Sequence, residues 1–154
     1  MRGQYRVWLP SITVGTSEAA VLTVLVPSDT IIELVRIEAM GRGSAASAVT
    51  WRLRRVTSGT PSLTGTVIVE QVDHNNTINP ATTFGTGWSA APGGYDDPIV
   101  AGAFEAYGGR DVIAASIQEA IARMGSAGSA TRFELSMQAA VASTPVSLRL
   151  TFNE

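Results

Sequence analysis

Very few side chains in this sequence are equipped for chemistry. His74 is the only histidine and there is no cysteine, so a transition-metal site would need carboxylates almost alone. Within Asp73-His74-Asn75-Asn76 the imidazole reads as part of a polar turn; a metal ligand or general base is the alternative. Asp96-Asp97, directly after Gly93-Gly94-Tyr95, could give a calcium ion two oxygen ligands. The regularly spaced acids of a dedicated calcium loop are missing, and a solvated loop is the better reading.

The remaining chemistries fare no better. No Gly-x-Ser-x-Gly elbow occurs, and a triad would have to borrow His74 from its turn. The acidic residues are dispersed and form no recognisable glycosidase pair, and no glycine-rich phosphate loop is present. Asn75-Asn76-Thr77 matches a glycosylation sequon, but nothing at the N-terminus reads as a secretory signal, so it carries no weight. No catalytic, cofactor-binding or metal-binding residue is assigned, no cofactor is expected, and the chain is not expected to be an enzyme. The aromatic residues are more informative. Trp51 is in phase with a core face. Trp88 lies in a Gly/Pro-rich stretch beside Phe84 and near Tyr95, where it can pack onto the domain, anchor a protein contact or stack on a sugar, in that order of preference. Trp8 is open between covering the core and touching another subunit.

Composition points to a part rather than a catalyst. The 154 residues suit one domain over 1–154, long enough to bury a sizeable core. Charged residues are 16% against roughly 25% in ordinary soluble domains, which fits either a surface partly covered by partner chains or a small, Ala/Gly/Ser/Thr-rich domain. All eleven basic residues are Arg and the net charge is −2. Codon bias explains the absence of Lys most simply, and the arginines are scattered along the chain. No basic stripe exists to follow a phosphate backbone, which argues against nucleic acid. The apolar run Ala19 to Val26 is too short to span a bilayer, so no membrane partner is expected.

These residues must be positioned by strands. Arg132 to Ala139 alternates strictly, sending Phe133, Leu135, Met137 and Ala139 to one face. Pro145 to Phe152 does the same with Val146, Leu148, Leu150 and Phe152. The short connection between them predicts an antiparallel C-terminal hairpin. Val49, Trp51 and Leu53 face inward from Ala48 to Val56, and the Arg54-Arg55 doublet predicts a bulge or the strand's end. Ala20 to Val26 and Ile31 to Met40 are strands separated by the turn Pro27-Ser28-Asp29. Tyr5 to Leu9, bounded by Pro10, reads as an edge strand. From Thr57 to Pro98 the chain is Gly- and Pro-rich, with only Thr66 to Val72 strand-like, and such a long loop tends to be functional or ordered by a partner. Ile99 to Tyr107 is another strand. Asp111 to Met124 carries Val112, Ile113, Ile117, Ile121 and Met124 at helical spacing, with Asp111 as N-cap and Gly125 just past the end. A short helix is expected there; a strand through Ile117, Glu119, Ile121 and Arg123 is the rival. The fold class is therefore all-β, an antiparallel, jelly-roll-like β-sandwich with a long central loop and room for one short helix near 111–124.

The ordering of these segments resembles a known family. Tyr5-Arg6-Val7-Trp8 opens the chain, an apolar strand ends in Val26-Pro27-Ser28, and Ile37-Glu38-Ala39-Met40 precedes the small-residue loop Gly43 to Ala48. Val49-Thr50-Trp51-Arg52-Leu53-Arg54-Arg55-Val56-Thr57-Ser58-Gly59-Thr60 leads into the long loop, and the Phe133 to Ala142 strand runs on to Val146 through Glu154. In this the chain resembles the small β-sandwich decoration, or cement, proteins of tailed bacteriophages. The resemblance implies a virion structural protein, often a homotrimer, on the outer capsid surface. It would be assembled in the host cytoplasm, bind the major capsid protein and stabilise the expanded shell. The resemblance is one of strands and loops and transfers no site residue. The long loop and the N-terminal segment are the expected contact elements. A head-fibre base or tail component is the alternative within that class, and a carbohydrate-binding module using Trp88 and Tyr95 is the alternative outside it.

Overall fold

Alternation along the chain becomes two stacked antiparallel sheets. The structure, a computed structural model, describes residues 3–62, 67–72, 78–115 and 120–154. Its strands are β1 (Gln4–Val14), β2 (Ala19–Val26), β3 (Ile31–Gly41), β4 (Ala48–Val56), β5 (Thr60–Ser62), β6 (Ile68–Gln71), β7 (Thr83–Gly85), β8 (Gly87–Ala90), β9 (Tyr95–Glu105), β10 (Arg110–Ala114), β11 (Ala122–Gly125), β12 (Thr131–Ala139) and β13 (Thr144–Asn153). The first sheet has the order β10-β3-β13-β1-β6, with β11 also on β3; the second has β7-β2-β12-β4-β9; β5 and β8 form a separate pair. Setting aside β5 to β8, and taking β10 with β11 as one interrupted strand, gives first-eighth-third-sixth in one sheet and second-seventh-fourth-fifth in the other. That is the strand order of a jelly roll. The all-β sandwich expected from the sequence is the fold.

The core lies between the sheets and is built from the inward set that alternation predicts. Val49, Trp51 and Leu53 of β4, Phe133, Leu135 and Met137 of β12, and Val146, Leu148, Leu150 and Phe152 of β13 are all buried. Of the bulge or strand end expected at Arg54-Arg55, the structure has the bulge, as shifts in the β4–β9 register on either side of Arg54.

Three expectations are overturned. β12 and β13 do not form a hairpin: β12 pairs with β2 and β4, whereas β13 pairs with β1 and β3. The link turns over from one sheet to the other, with Ser143 at φ 58° and Thr144 Oγ1 donating to Val141 O at 2.6 Å. Alternation specifies which face is buried and is silent about the neighbour.

β1 is not an edge. It lies between β13 and β6, and Pro10 is accommodated at a register shift between Leu9 and Ile12, beyond the Tyr5–Trp8 stretch that pairs with β6.

The helix over 111–124 is replaced by β10 and β11, both antiparallel to β3; no helix occurs among the described residues. Without them the outer edge of β3 would present a row of unpaired backbone groups, and a ladder satisfies it. Ile113 and Met124 still reach the core, because residues at helical spacing here also suit an interrupted strand. Residues 116–119, and with them Ile117 and Glu119, lie outside the described residues.

The described residues of the central segment are also more ordered than a loop. β6 extends the first sheet, β7 extends the second, and β9 begins at Tyr95 rather than Ile99. Several side chains fasten the segment. Tyr5 Oη donates to Ile78 O at 2.6 Å, and the Glu154 carboxylate accepts from the Ala81 and Thr82 amides at 2.7 and 2.9 Å. Phe84 packs on Phe152 at 5.2 Å between centroids.

Candidate functional site

Each outer face of the sandwich gathers a cluster of charged and aromatic side chains. On the second sheet one outward row runs Gly85–Thr23–Glu134–Arg54–Pro98 across five strands. An outward row should be wet, yet Thr23 is 0% and Glu134 3% exposed. The cover is the β5–β8 pair, which folds over this face: Thr23 Oγ1 donates to Gly87 O at 3.1 Å. Trp88 Nε1 donates to Glu134 Oε2 at 2.6 Å, and Arg54 donates to Glu134 Oε1 at 3.0 Å. Gly59, at φ +116°, lets the chain turn beneath the Trp88 ring, since a Cβ there would stand 3.2 Å from Trp88 Cε3. Burying the Glu134 carboxylate is tolerable because both oxygens are bonded and a guanidinium balances the charge.

The neighbouring row extends the network. Glu18 bonds Arg52 through two contacts of 2.5 Å and accepts from Ser136 Oγ at 2.5 Å. The hydrogen bond from Arg52 is the main reason the Glu18 carboxyl titrates below its ordinary range, against an opposing effect of burial. Arg54 also lies over the Tyr95 ring, 3.6 Å from its centroid, a cation–π contact. Burial, then the negative charge of Glu134, raises the Tyr95 phenol above its usual value.

The two aromatic residues singled out for sugar stacking thus do converge on one carboxylate. Trp88 is bonded to Glu134 and packed against the Gly59 turn, and one face of Tyr95 is covered by Arg54. The first of the three roles expected for Trp88, packing onto the sandwich, is the one its geometry fills.

The first sheet carries the other cluster. One outward row runs Val112–Glu38–Arg149–Trp8–Ile68 and the next Ala114–Arg36–Thr151–Arg6–Glu70. Glu38, 6% exposed, is approached by Arg110 at 2.6 Å, Arg36 at 3.1 Å and Arg149 at 3.8 Å. Burial alone would raise its carboxyl; hydrogen bonds and charge from Arg36 and Arg110 outweigh that and hold it below the usual range. One carboxylate cannot absorb three guanidinium groups, each with five N–H donors, so local charge stays positive and donors face outward. Trp8 sits half-buried on this face, its ring 5.5 Å from the Arg149 guanidinium. Arginines scattered through the sequence, on β1, β3, β10 and β13, meet here because of register.

The other expected residues are not drawn together. Asp73, His74 and the sequon Asn75 to Thr77 lie outside the described residues. Asp96 and Asp97 are exposed on β9, and among the described residues no three of His, Cys, Asp or Glu gather as a metal site would require. Asp111 caps no helix. It crosses between the sheets to accept from Trp51 Nε1 at 2.8 Å. Glu38 and Glu134, the centres of both clusters, were not singled out in the sequence; the only signal was an acid at an outward strand position beside Arg at i±2 (Arg36 with Glu38, Arg132 with Glu134). Comparison with protein-family models, curated proteins and solved structures gives no significant match to this chain.

Proposed function

We propose that this chain is a virion structural protein, a decoration or cement protein that binds the major capsid protein on the outer surface of a tailed-phage head. The observation that carries the reading is the preordered β5–β8 pair. Within the stretch that composition marks as a partner-ordered loop, this pair is already folded over the second sheet and fixed through Trp88 to Glu134. An element ordered before docking loses less conformational entropy on binding. A rigid sandwich with such an element suits contact with a repeating lattice, where many weak contacts add up. The identity of the partner comes from the sequence resemblance. Binding only the expanded lattice would stabilise that state by mass action. A head-fibre base or tail component would draw on the same features, and locating the protein on particles by electron microscopy separates the two.

The test mixes purified protein with expanded, undecorated shells of the parent particle and sediments them. Saturable co-sedimentation is expected with expanded shells and not with unexpanded ones. Trp88→Ala should weaken it while the far-ultraviolet spectrum keeps its β signature. No association with expanded shells refutes the reading.

A further inference from the structure

We propose that the outer face of the first sheet docks an acidic segment of a partner protein, whose carboxylates pair with Arg6, Arg36, Arg110 and Arg149. The β5–β8 pair covers the other sheet, so this contact is separate from the one proposed above and does not depend on the capsid reading. Arg36, Arg110 and Arg149 surround Glu38, and their side chains remain 45%, 54% and 32% exposed. One carboxylate leaves most of their donors free for another, and a guanidinium takes a carboxylate through a planar fork. The Arg6 side chain, one strand further on, makes no hydrogen bond or ion pair at all.

Orphaned polar atoms mark the middle of this face. Trp8 Nε1, Arg6 Nε and Arg149 Nε are shielded from solvent and donate to nothing, and Ser147, 1% exposed, has no partner for its Oγ. Trp8 lies opposite Arg149 in the β1–β13 ladder, with Arg6 two residues along one strand and Ser147 two along the other. Buried polar groups find partners in about 90% or more of cases, so neighbouring groups without one call for an acceptor from outside the chain. The Nε–H is one tine of the guanidinium fork, and turning Arg6 or Arg149 toward a carboxylate satisfies it as well.

Spacing selects the class of partner. The four arginines stand on β10, β3, β13 and β1, which are adjacent strands, so at about 4.8 Å per strand the set spans roughly 14 Å. A single small anion cannot bridge that width. An extended peptide can, since its alternate side chains line one side about 7 Å apart. A nucleic-acid strand carries a charge at every phosphate and would meet Glu38 and Glu70 on the same face, whereas a peptide can set carboxylates beside the arginines alone. Glu70 is opposite Arg6 in the β1–β6 register, but it is exposed and forms no ion pair, and a separated charge in water offsets little. Val112, 38% exposed, and Ile68 end the row that holds Glu38, Arg149 and Trp8. They place apolar contact beside the charges, a combination that specific interfaces share.

Nitrogen-15 NMR titration of the full chain with a synthetic peptide of alternating Glu and Thr tests this at low ionic strength. Saturable binding is expected, weakened by added salt and absent with the matching peptide of Gln and Thr. The Trp8 indole N–H should shift, while those of Trp51 and Trp88, already bonded to Asp111 and Glu134 at 2.8 and 2.6 Å, should stay. Arg6→Gln breaks no hydrogen bond or ion pair of the folded chain; it should weaken binding about tenfold, and Arg149→Gln should do the same. Arg55→Gln, at an exposed position on the second sheet, should leave binding unchanged. No saturable binding overturns the proposal, as does binding that both variants on the first sheet leave intact, or tighter binding of a single-stranded oligothymidine. A protein that binds the peptide and ignores expanded shells loses the capsid reading alone, and one that does the reverse loses only this proposal.

Discussion

Replacing Gly102 with alanine should cost this fold far more than a methyl group suggests. Gly102 lies on β9 opposite Trp51 of β4, and it faces the gap across which the Trp51 indole donates to Asp111 of β10 at 2.8 Å. A Cβ at Gly102 would overlap Asp111 Oδ2 and stand 2.7 Å from Trp51 Nε1, so the carboxylate must leave. Losing a hydrogen bond to a charged acceptor costs about 1.5–3 kcal/mol, and forcing an extra methyl into a packed site about 1–3 kcal/mol. The reduced freedom of the unfolded chain returns about 0.4–1 kcal/mol, and β9, as an edge strand, can yield somewhat. The net expectation is about 3 kcal/mol, a fall in Tm of roughly 6–12 °C for a domain of this size. The assay is urea denaturation followed by tryptophan fluorescence and circular dichroism, with thermal melts alongside. Gly15→Ala is the control, because a Cβ there meets nothing within 4 Å, and it should change little. In a Trp51→Phe background, where no indole holds the carboxylate, the Gly102→Ala penalty should shrink by about a third or more, as coupled neighbours do. A Gly102→Ala protein as stable as the Gly15→Ala control would refute the argument.

Further outcomes follow from the same contacts. Glu134→Ala removes the close partner of the Arg54 guanidinium, 11% exposed, leaving it Glu18 at 3.8 Å, and strands the Trp88 indole N–H; a loss of about 2–3 kcal/mol is expected in denaturant melts, with a red-shifted Trp88 emission as the β5–β8 pair lifts. Acid should also destabilise the fold. Glu18 and Glu38 are both held below the ordinary value of 4.5, so their contribution is complete above that pH and is lost as pH falls through their lowered values; urea midpoints measured from pH 7 down to pH 3 should fall most below about pH 4.5, and Glu38→Gln should flatten part of that slope. Glu154→Ala removes the acceptor for the Ala81 and Thr82 amides, and hydrogen exchange at those two positions should accelerate about tenfold or more while the β12 amides keep their protection.

How far the sequence speaks for itself follows from the range of the forces involved. Period-two alternation is a local property, and it correctly assigned the inward faces of β4, β12 and β13, the break in phase at Arg54-Arg55 and the all-β class. The same local rule holds whichever strand lies alongside. So it could not reveal that β12 and β13 belong to different sheets, or that β1 runs through the middle of one. Residues 111–124 fit two periodicities at once, and the unpaired edge of β3 decided between them. The clusters depended still more on tertiary structure. Glu38 meets arginines from β3, β10 and β13 only through the register of three strands. Trp88 reaches Glu134, 46 residues away, only because β5 and β8 fold over the second sheet. What the sequence alone determined was the alternation of faces and the scarcity of catalytic side chains. Which charges and rings came to share a surface was decided by strand register and sheet pairing, since those contacts lie far apart along the chain.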